Sequence, residues 1–277
     1  MLTKEAIQEL AKSSATLAAN EAIGGCADDN GLRGIAALPN DFQIHDLEKH
    51  LPLRRRPRGT MTTSVVDDFA AYFDAHQESG ASVFIDQSAM RAVAVLNLGD
   101  PAEPGHADNT AVLAPKMTAA YTALQQIATG QGRSQQAVAE FLEDWAPQIE
   151  CFNEAAKISN AQAIAAVRKI TIEGMRKVES QEKQLGAAKS TFEQVQASSG
   201  TDPLPTHIYF KTVPFHCLSE RTFVLRLGVL TTDKPAVTLR IVNAEQHAED
   251  MATELAQLVR KALPDAKAMV GAYTVKP

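Results

Sequence analysis

Four arginines lie within five consecutive positions of a proline-containing segment. They are Arg54, Arg55, Arg56 and Arg58, within KHLPLRRRPRG at residues 49–59. Guanidinium groups bind phosphate and carboxylate oxygens through paired N–H donors. The run therefore predicts a contact with an anion or a partner, either a nucleic-acid backbone or an acidic surface on a neighbouring copy of the chain.

Histidines near acidic residues raise the question of a metal site. His45 and His50 flank Asp46 and Glu48. Their spacing of five places them on opposite faces of a strand and does not match the i, i+4 pairing of a helix. We therefore predict no metal site in this segment.

Other residue types suited to catalysis are scattered. His216 and Cys217 are adjacent, but a cysteine nucleophile needs a base that is close in space and a third group that orients it. The carboxylates of Glu143, Asp144, Glu249, Asp250 and Glu254 alternate with apolar residues, which is typical of the solvent face of a helix. The chain contains no GxGxxG, GxxxxGK[ST], GxSxG or HExxH motif. We predict no catalytic residues and no cofactor, and the missing motifs disfavour an enzyme without ruling one out.

The composition is that of a globular protein. Hydrophobic residues make up 45% of the 277 residues and charged residues 22%, which argues against disorder. The formal net charge of −6 disfavours a protein whose main task is to coat nucleic acid. Three separated cysteines, Cys26, Cys151 and Cys217, indicate neither a disulfide framework nor a zinc site. With no signal peptide and no apolar run of about 18 residues, we expect a cytoplasmic protein without membrane contact.

The N-terminal residues predict a helical arm. Residues 3–23 follow a helical period, with Thr3 as a cap and Ile7, Leu10 and Leu17 on one stripe. The glycine-rich segment 24–31 then interrupts the pattern. Residues 1–31 are therefore interpreted as an arm and linker, and its apolar stripe is expected to pack on the body or on a neighbouring subunit.

The rest of the chain predicts an α+β fold in two regions, with a boundary at the turn cluster 198–205. Residues 32–200 form a helix-rich region with a helix at 62–76, a β-hairpin at 81–98 and a long helix from about 154 to 185. Residues 201–277 predict a mainly antiparallel β-β-β-α-β unit with its helix at 244–263. The pattern leaves open whether the two regions share one core.

A family resemblance extends this interpretation. Residues 204–263, from LPTHIYFKTVPFHCLSERTF to ELAQLVRKAL, resemble the C-terminal half of the YfdQ-like prophage proteins, a domain-of-unknown-function family. The arginine-bearing segment with its helix, the hairpin, the strand and helix at 111–128 and the FLEDW helix fit the same family. The resemblance implies a temperate phage or prophage origin and supplies no catalytic residues.

Three functions remain open from the sequence. The first is a non-catalytic protein that assembles with itself into a homo-oligomer, which the arm and the β-rich C-terminal region favour. The second is a nucleic-acid-binding accessory of phage replication or recombination that uses Arg54, Arg55, Arg56 and Arg58. The third is an enzyme of unrecognised type.

Overall fold

A computed structural model describes residues 3–22, 52–54, 56–154, 156–170, 203–231 and 235–274. The chain divides into two compact units, Met1–Pro57 and Arg58–Pro277. In the first unit, the described residues contain helix α1, Lys4–Ala22. The N–H of Ala6 donates to the Thr3 hydroxyl at 3.3 Å, so Thr3 caps the helix as predicted.

The second unit contains the remaining described elements. In chain order these are β1 (Gly59–Thr63), α2 (Val66–His76), β2 (Ser82–Asp86), β3 (Arg91–Val95), β4 (Asn109–Leu113), α3 (Ala119–Ile127), α4 (Gln135–Asp144), β5 (Ile149–Asn153), β6 (Ala156–Ile158), α5 (Asn160–Arg168), β7 (His207–Thr212), β8 (Arg221–Thr231), β9 (Pro235–Ile241), α6 (Ala244–Ala262) and β10 (Lys267–Val270). The predicted α+β class is confirmed.

The strands form two five-stranded sheets. The first has the order β1-β4-β3-β2-β10, and the second has the order β6-β5-β7-β8-β9. In the first sheet β2, β3 and β4 are antiparallel, whereas β1 runs parallel to β4 and β10 runs parallel to β2. The second sheet is antiparallel throughout.

One hydrophobic core joins the two sheets of the second unit. Phe69 and Phe73 of α2 are buried in the same cluster as Val83 of β2, Phe210 of β7 and Leu255 of α6. The alternation of buried and exposed residues along β7 shows why this core forms, because every second side chain of a strand points to the same face. The amphipathic α6 likewise buries one stripe.

The elements of the C-terminal region occur in the predicted order, but they do not stay in one sheet. β7, β8 and β9 form an antiparallel meander in the second sheet. β10 crosses to the first sheet, where Lys267 pairs with Ser82 and Val270 pairs with Ile85. The predicted boundaries at residues 31 and 200 remain predictions.

The predicted long helix from 154 is wrong at its start. β5 and β6 pair as an antiparallel hairpin over residues 149–153 and 156–158, with Glu154 after β5 in a left-handed conformation of φ 51°. Ser159 then caps a new helix, α5, which ends at Arg168. Residues 171–185 of the prediction lie outside the described residues.

The helix predicted at 62–76 begins four residues late. Residues 59–63 pair with β4 as a strand, and the threonines there suit an extended backbone. The hairpin predicted at 81–98 is confirmed as β2 and β3.

Candidate functional site

A groove of about 900 Å³ lies beside α3 and the first half of α6. Apolar side chains line much of it, including Met90, Met117, Phe215 and Met251. A second cavity of about 600 Å³ has Tyr121, Gln125 and Ala248 in common with this groove, so the two cavities adjoin each other along α6. We call this pair of cavities the α3–α6 groove.

Aromatic rings line the α3–α6 groove. The Tyr121 ring centroid lies 5.3 Å from that of Phe223 and 5.8 Å from that of Phe215, and the Phe223 and His247 centroids are 4.8 Å apart. Burial raises the pKa of Tyr121 and lowers the pKa of His247. Both side chains are therefore neutral at pH 7 and offer hydrogen bonds rather than charge.

An ion pair lies next to these rings. Arg221 at the start of β8 bonds through Nη2 to Oε2 of Glu254 on α6, and the Ser219 N–H donates to Oε1 of Glu254 at 2.7 Å. Burial by itself raises the pKa of Glu254, but the hydrogen bonds from Ser219 and Arg221 outweigh it and lower the pKa. Glu254 is therefore a fixed anion and a poor proton donor.

This pair corrects the sequence interpretation of the α6 carboxylates. Glu249 and Asp250 are exposed as expected, whereas Glu254 is partly buried and holds the loop before β8 against α6. No sequence pattern links Arg221 to Glu254, because the two residues are far apart in the chain. The sequence likewise did not predict Tyr121 as a site residue, because Phe215 and Phe223, which its ring contacts, are far from it in the chain.

The two cysteines that the structure describes, Cys151 and Cys217, lack the chemistry of a nucleophile, and Cys26 lies outside the described residues. His216 and Cys217 line a separate cavity of about 460 Å³ with Asp67 and Lys261. Burial raises the pKa of Cys217, and it raises the pKa of Cys151 to about 12, so both are thiols at neutral pH. Within the described ranges, no group of histidine, cysteine or acidic side chains is suited to hold a metal ion.

The arginine run is described at three of its four positions. Arg54 is exposed and Arg56 is half-buried in the first unit, and the exposed Arg58 begins the second unit just before β1. Arg55, His45 and His50 lie outside the described residues. The anion or partner contact of this run stays a prediction.

Helix α1 exposes the apolar stripe that its sequence predicts. The exposed fractions are 55% for Ile7, 59% for Leu10 and 65% for Leu17. Between residues 3 and 18 only Ala6 and Thr16 are even half-buried. We call Ile7, Leu10 and Leu17 the α1 stripe.

The family follows from a match over nearly the whole chain. A sequence profile of uncharacterized conserved proteins, DUF2303, matches residues 4–273. The chain belongs to the DUF2303 family. No curated protein and no solved structure matches it.

The DUF2303 match begins at the first residue of α1 and extends past β10. Both compact units, with the α1 stripe and the α3–α6 groove, therefore lie within the range of the family. Among the residues that the structure describes, no helix has both the length and the apolar character needed to cross a membrane.

Proposed function

We propose that this DUF2303 protein is a phage- or prophage-encoded, non-catalytic protein that assembles with itself in the cytoplasm of a bacterial host. The resemblance to YfdQ-like prophage proteins supports the phage origin. The α1 stripe is the observation that carries the assembly.

An exposed helix of this kind needs a partner. Helices owe most of their stability to packing of an apolar face, and nucleation makes short isolated helices marginal in water. α1 has 19 residues, and its three large apolar side chains are each more than half exposed. Burying them removes apolar surface from water, which stabilises both the helix and the assembly.

A second copy of α1 fits this stripe well. Ile7, Leu10 and Leu17, with Ser14 between them, follow the alternating three- and four-residue spacing of a coiled-coil seam. Small residues flank the seam, with Ala6 and Ser13 on one side and Ala11 and Ala18 on the other, so two helices can approach closely. α1 carries two lysines, Lys4 and Lys12, against three glutamates, Glu5, Glu9 and Glu21, so two copies repel each other only weakly.

An enzymatic function and a nucleic-acid-binding function have less support from the described side chains. Glu254 is held by Arg221, and the raised thiol pKa values make Cys151 and Cys217 unreactive, which disfavours acid–base and thiol chemistry. Nucleic-acid binding remains the second candidate, because the Arg54 side chain is exposed and a guanidinium binds phosphate well.

Light scattering on a sizing column tests the proposal, with absorbance at 260 and 280 nm recorded across the peak at low and high salt. We expect a discrete assembly at a whole multiple of 29.8 kDa, free of nucleic acid and insensitive to salt. A particle of 29.8 kDa at every concentration would contradict self-assembly. A species that loses its 260 nm absorbance at high salt would favour nucleic-acid binding instead.

The triple variant Ile7→Gln, Leu10→Gln and Leu17→Gln tests the role of α1. We expect it to lower the particle mass at least twofold, because it removes the apolar seam. The matched control carries Glu5→Gln, Glu9→Gln and Lys12→Gln on the opposite face of α1 and should keep the wild-type mass. Equal masses for the two triple variants would show that α1 does not join copies.

A further inference from the structure

The outer strands of the two sheets differ in how their edges are protected. An edge strand with free backbone N–H and C=O groups pairs readily with another strand, and proteins usually cover, shorten or charge such edges. The first sheet ends in β1 and β10, and the second ends in β6 and β9.

Both edges of the second sheet are protected. The segment after α3 covers β9, with the N–H of Gly130 on the Leu239 carbonyl at 2.9 Å and the N–H of Arg133 on the Val237 carbonyl at 2.8 Å. β6 is three residues long, and its Lys157 pairs with Glu150 at 2.7 Å. Neither β6 nor β9 is therefore suited to pair with an additional strand.

β1 is an open edge. The Gly59 N–H donates to the Asp108 carbonyl and the Thr63 carbonyl accepts from the Ala114 N–H, each at 2.8 Å. In a parallel pair, alternate residues bond to the same neighbour. Gly59, Met61 and Thr63 therefore bond to β4, and the backbone groups of Thr60 and Thr62 point away from the sheet.

No group in the described part of the chain bonds the outward N–H and C=O of Thr60 and Thr62. Both residues are exposed, and β1 contains neither a charged residue nor a proline. The opposite edge, β10, is shorter at four residues and begins with Lys267, the residue type that most discourages pairing. β1 is therefore the better edge for adding a strand.

We propose that β1 pairs antiparallel with β1 of a second copy, so that the two five-stranded sheets become one continuous sheet across a twofold axis. This inference rests on the proposed self-assembly and names one of its interfaces. With the axis at Met61, Thr60 of one copy and Thr62 of the other exchange both of their backbone hydrogen bonds.

The charges near β1 suit this arrangement. The antiparallel register places Arg58 of one copy opposite Ser64 of the other. Ser64 lies two residues before the start of α2, whose first turn carries Asp67 and Asp68. Arg58, which also has an interaction within its own chain, thus approaches an acidic helix start on the second copy, which a parallel pairing of β1 strands would not provide.

The variant Thr62→Pro tests the pairing, because proline removes the outward N–H while the bonds of Met61 and Thr63 to β4 remain. Proline is tolerated on an edge strand at such a position. We expect the particle mass to fall twofold. Circular dichroism tests whether Thr62→Pro is folded. If Thr62→Pro does not fold, the double variant Thr60→Lys and Thr62→Lys is used in its place, and we expect the same twofold loss of particle mass.

Two controls complete the experiment. Thr62→Val keeps the N–H and should keep the wild-type mass. Val270→Pro places proline at the equivalent outward position of β10 and should also keep the mass. A twofold loss in Val270→Pro as well as Thr62→Pro would overturn the β1–β1 arrangement in favour of head-to-tail pairing between β1 and β10.

Hydrogen exchange gives a second measurement. In the wild-type assembly, we expect the Thr60 amide to exchange at least about tenfold more slowly than in a dissociated Thr62→Pro variant. The edge pairing is wrong if the wild type assembles, Thr62→Pro has the same particle mass as the wild type, and the Thr60 amide exchanges equally fast in both proteins. The proposed function survives that result. A monomeric wild type would refute both.

Discussion

Glu254 and Arg221 are 33 positions apart in the chain and meet beside the α3–α6 groove. Their side chains are 22% and 16% exposed, so solvent screens the pair only in part. Among the described residues, the Arg221 Nε is buried without a hydrogen-bond partner, and Glu254 is the carboxylate that pairs with this guanidinium. Removing the carboxylate would leave a largely buried positive charge.

We therefore expect Glu254→Gln to lower the free energy of unfolding at pH 7 by about 1–3 kcal/mol. Because folding lowers the pKa of Glu254, its contribution is present above the ordinary value of 4.5 and is lost as pH falls through the lowered pKa. The difference between wild type and variant should therefore be constant from pH 6 to 8 and shrink below about pH 4.5.

Urea unfolding of wild type, Glu254→Gln and Glu249→Gln across this pH range measures the effect. Glu249 is an exposed carboxylate on the same helix, so its variant should change stability by less than about 0.5 kcal/mol. Equal stabilities of the two variants at pH 7 would show that the pair between Arg221 and Glu254 contributes little.

At the scale of elements, α5 shows how a local signal competes with a longer pattern. The apolar spacing after residue 154 predicts one continuous helix. The structure instead has Glu154 in a left-handed conformation and begins α5 at Asn160, with Ser159 as its N-cap. The Ser159 hydroxyl accepts from the Gln162 N–H at 3.2 Å, and the Gln162 side chain accepts from the Ser159 N–H at 3.1 Å. This reciprocal capping box fixes the start of the helix.

Ser159→Ala should therefore lower the free energy of unfolding by about 1 kcal/mol, since it removes the cap of a nine-residue helix. Ser159→Thr keeps a hydroxyl at the same place and should cost clearly less. Thermal or urea unfolding of the two variants measures the difference. Equal losses in both would contradict the capping role.

At the scale of the whole molecule, the C-terminal region depends on residues far upstream. β10 pairs with β2, and α6 packs against α2. β7 pairs with β5 on one side, so the meander also extends into the middle of the chain. The core of the second unit therefore needs both regions.

A fragment of residues 201–277 should consequently show no cooperative unfolding transition by circular dichroism. A fragment of residues 58–277, which corresponds to the second compact unit, should unfold cooperatively. A cooperative transition in the shorter fragment would show that the C-terminal region folds as an independent domain.

The elements with a strong local period were predictable from the sequence. α6 and the strand β7 have helical and alternating patterns that burial on one face explains. The helical period of α1 and the apolar runs of the β2–β3 hairpin, which is buried on both faces, were also visible in the sequence. The absence of nucleotide and hydrolase motifs was also readable from the sequence, whereas assembly of the protein with itself stays a proposal.

Only the tertiary structure decided which distant elements meet. The local sequence of β10 does not distinguish it from a fourth strand of the C-terminal meander, because the strand with which β10 pairs depends on where the preceding helix, α6, ends in the fold. The contact between Arg221 and Glu254 and the open edge of β1 follow from the same folding of distant segments. Backbone hydrogen bonds between strands carry no side-chain signature, so a free edge is visible only once both sheets are assembled.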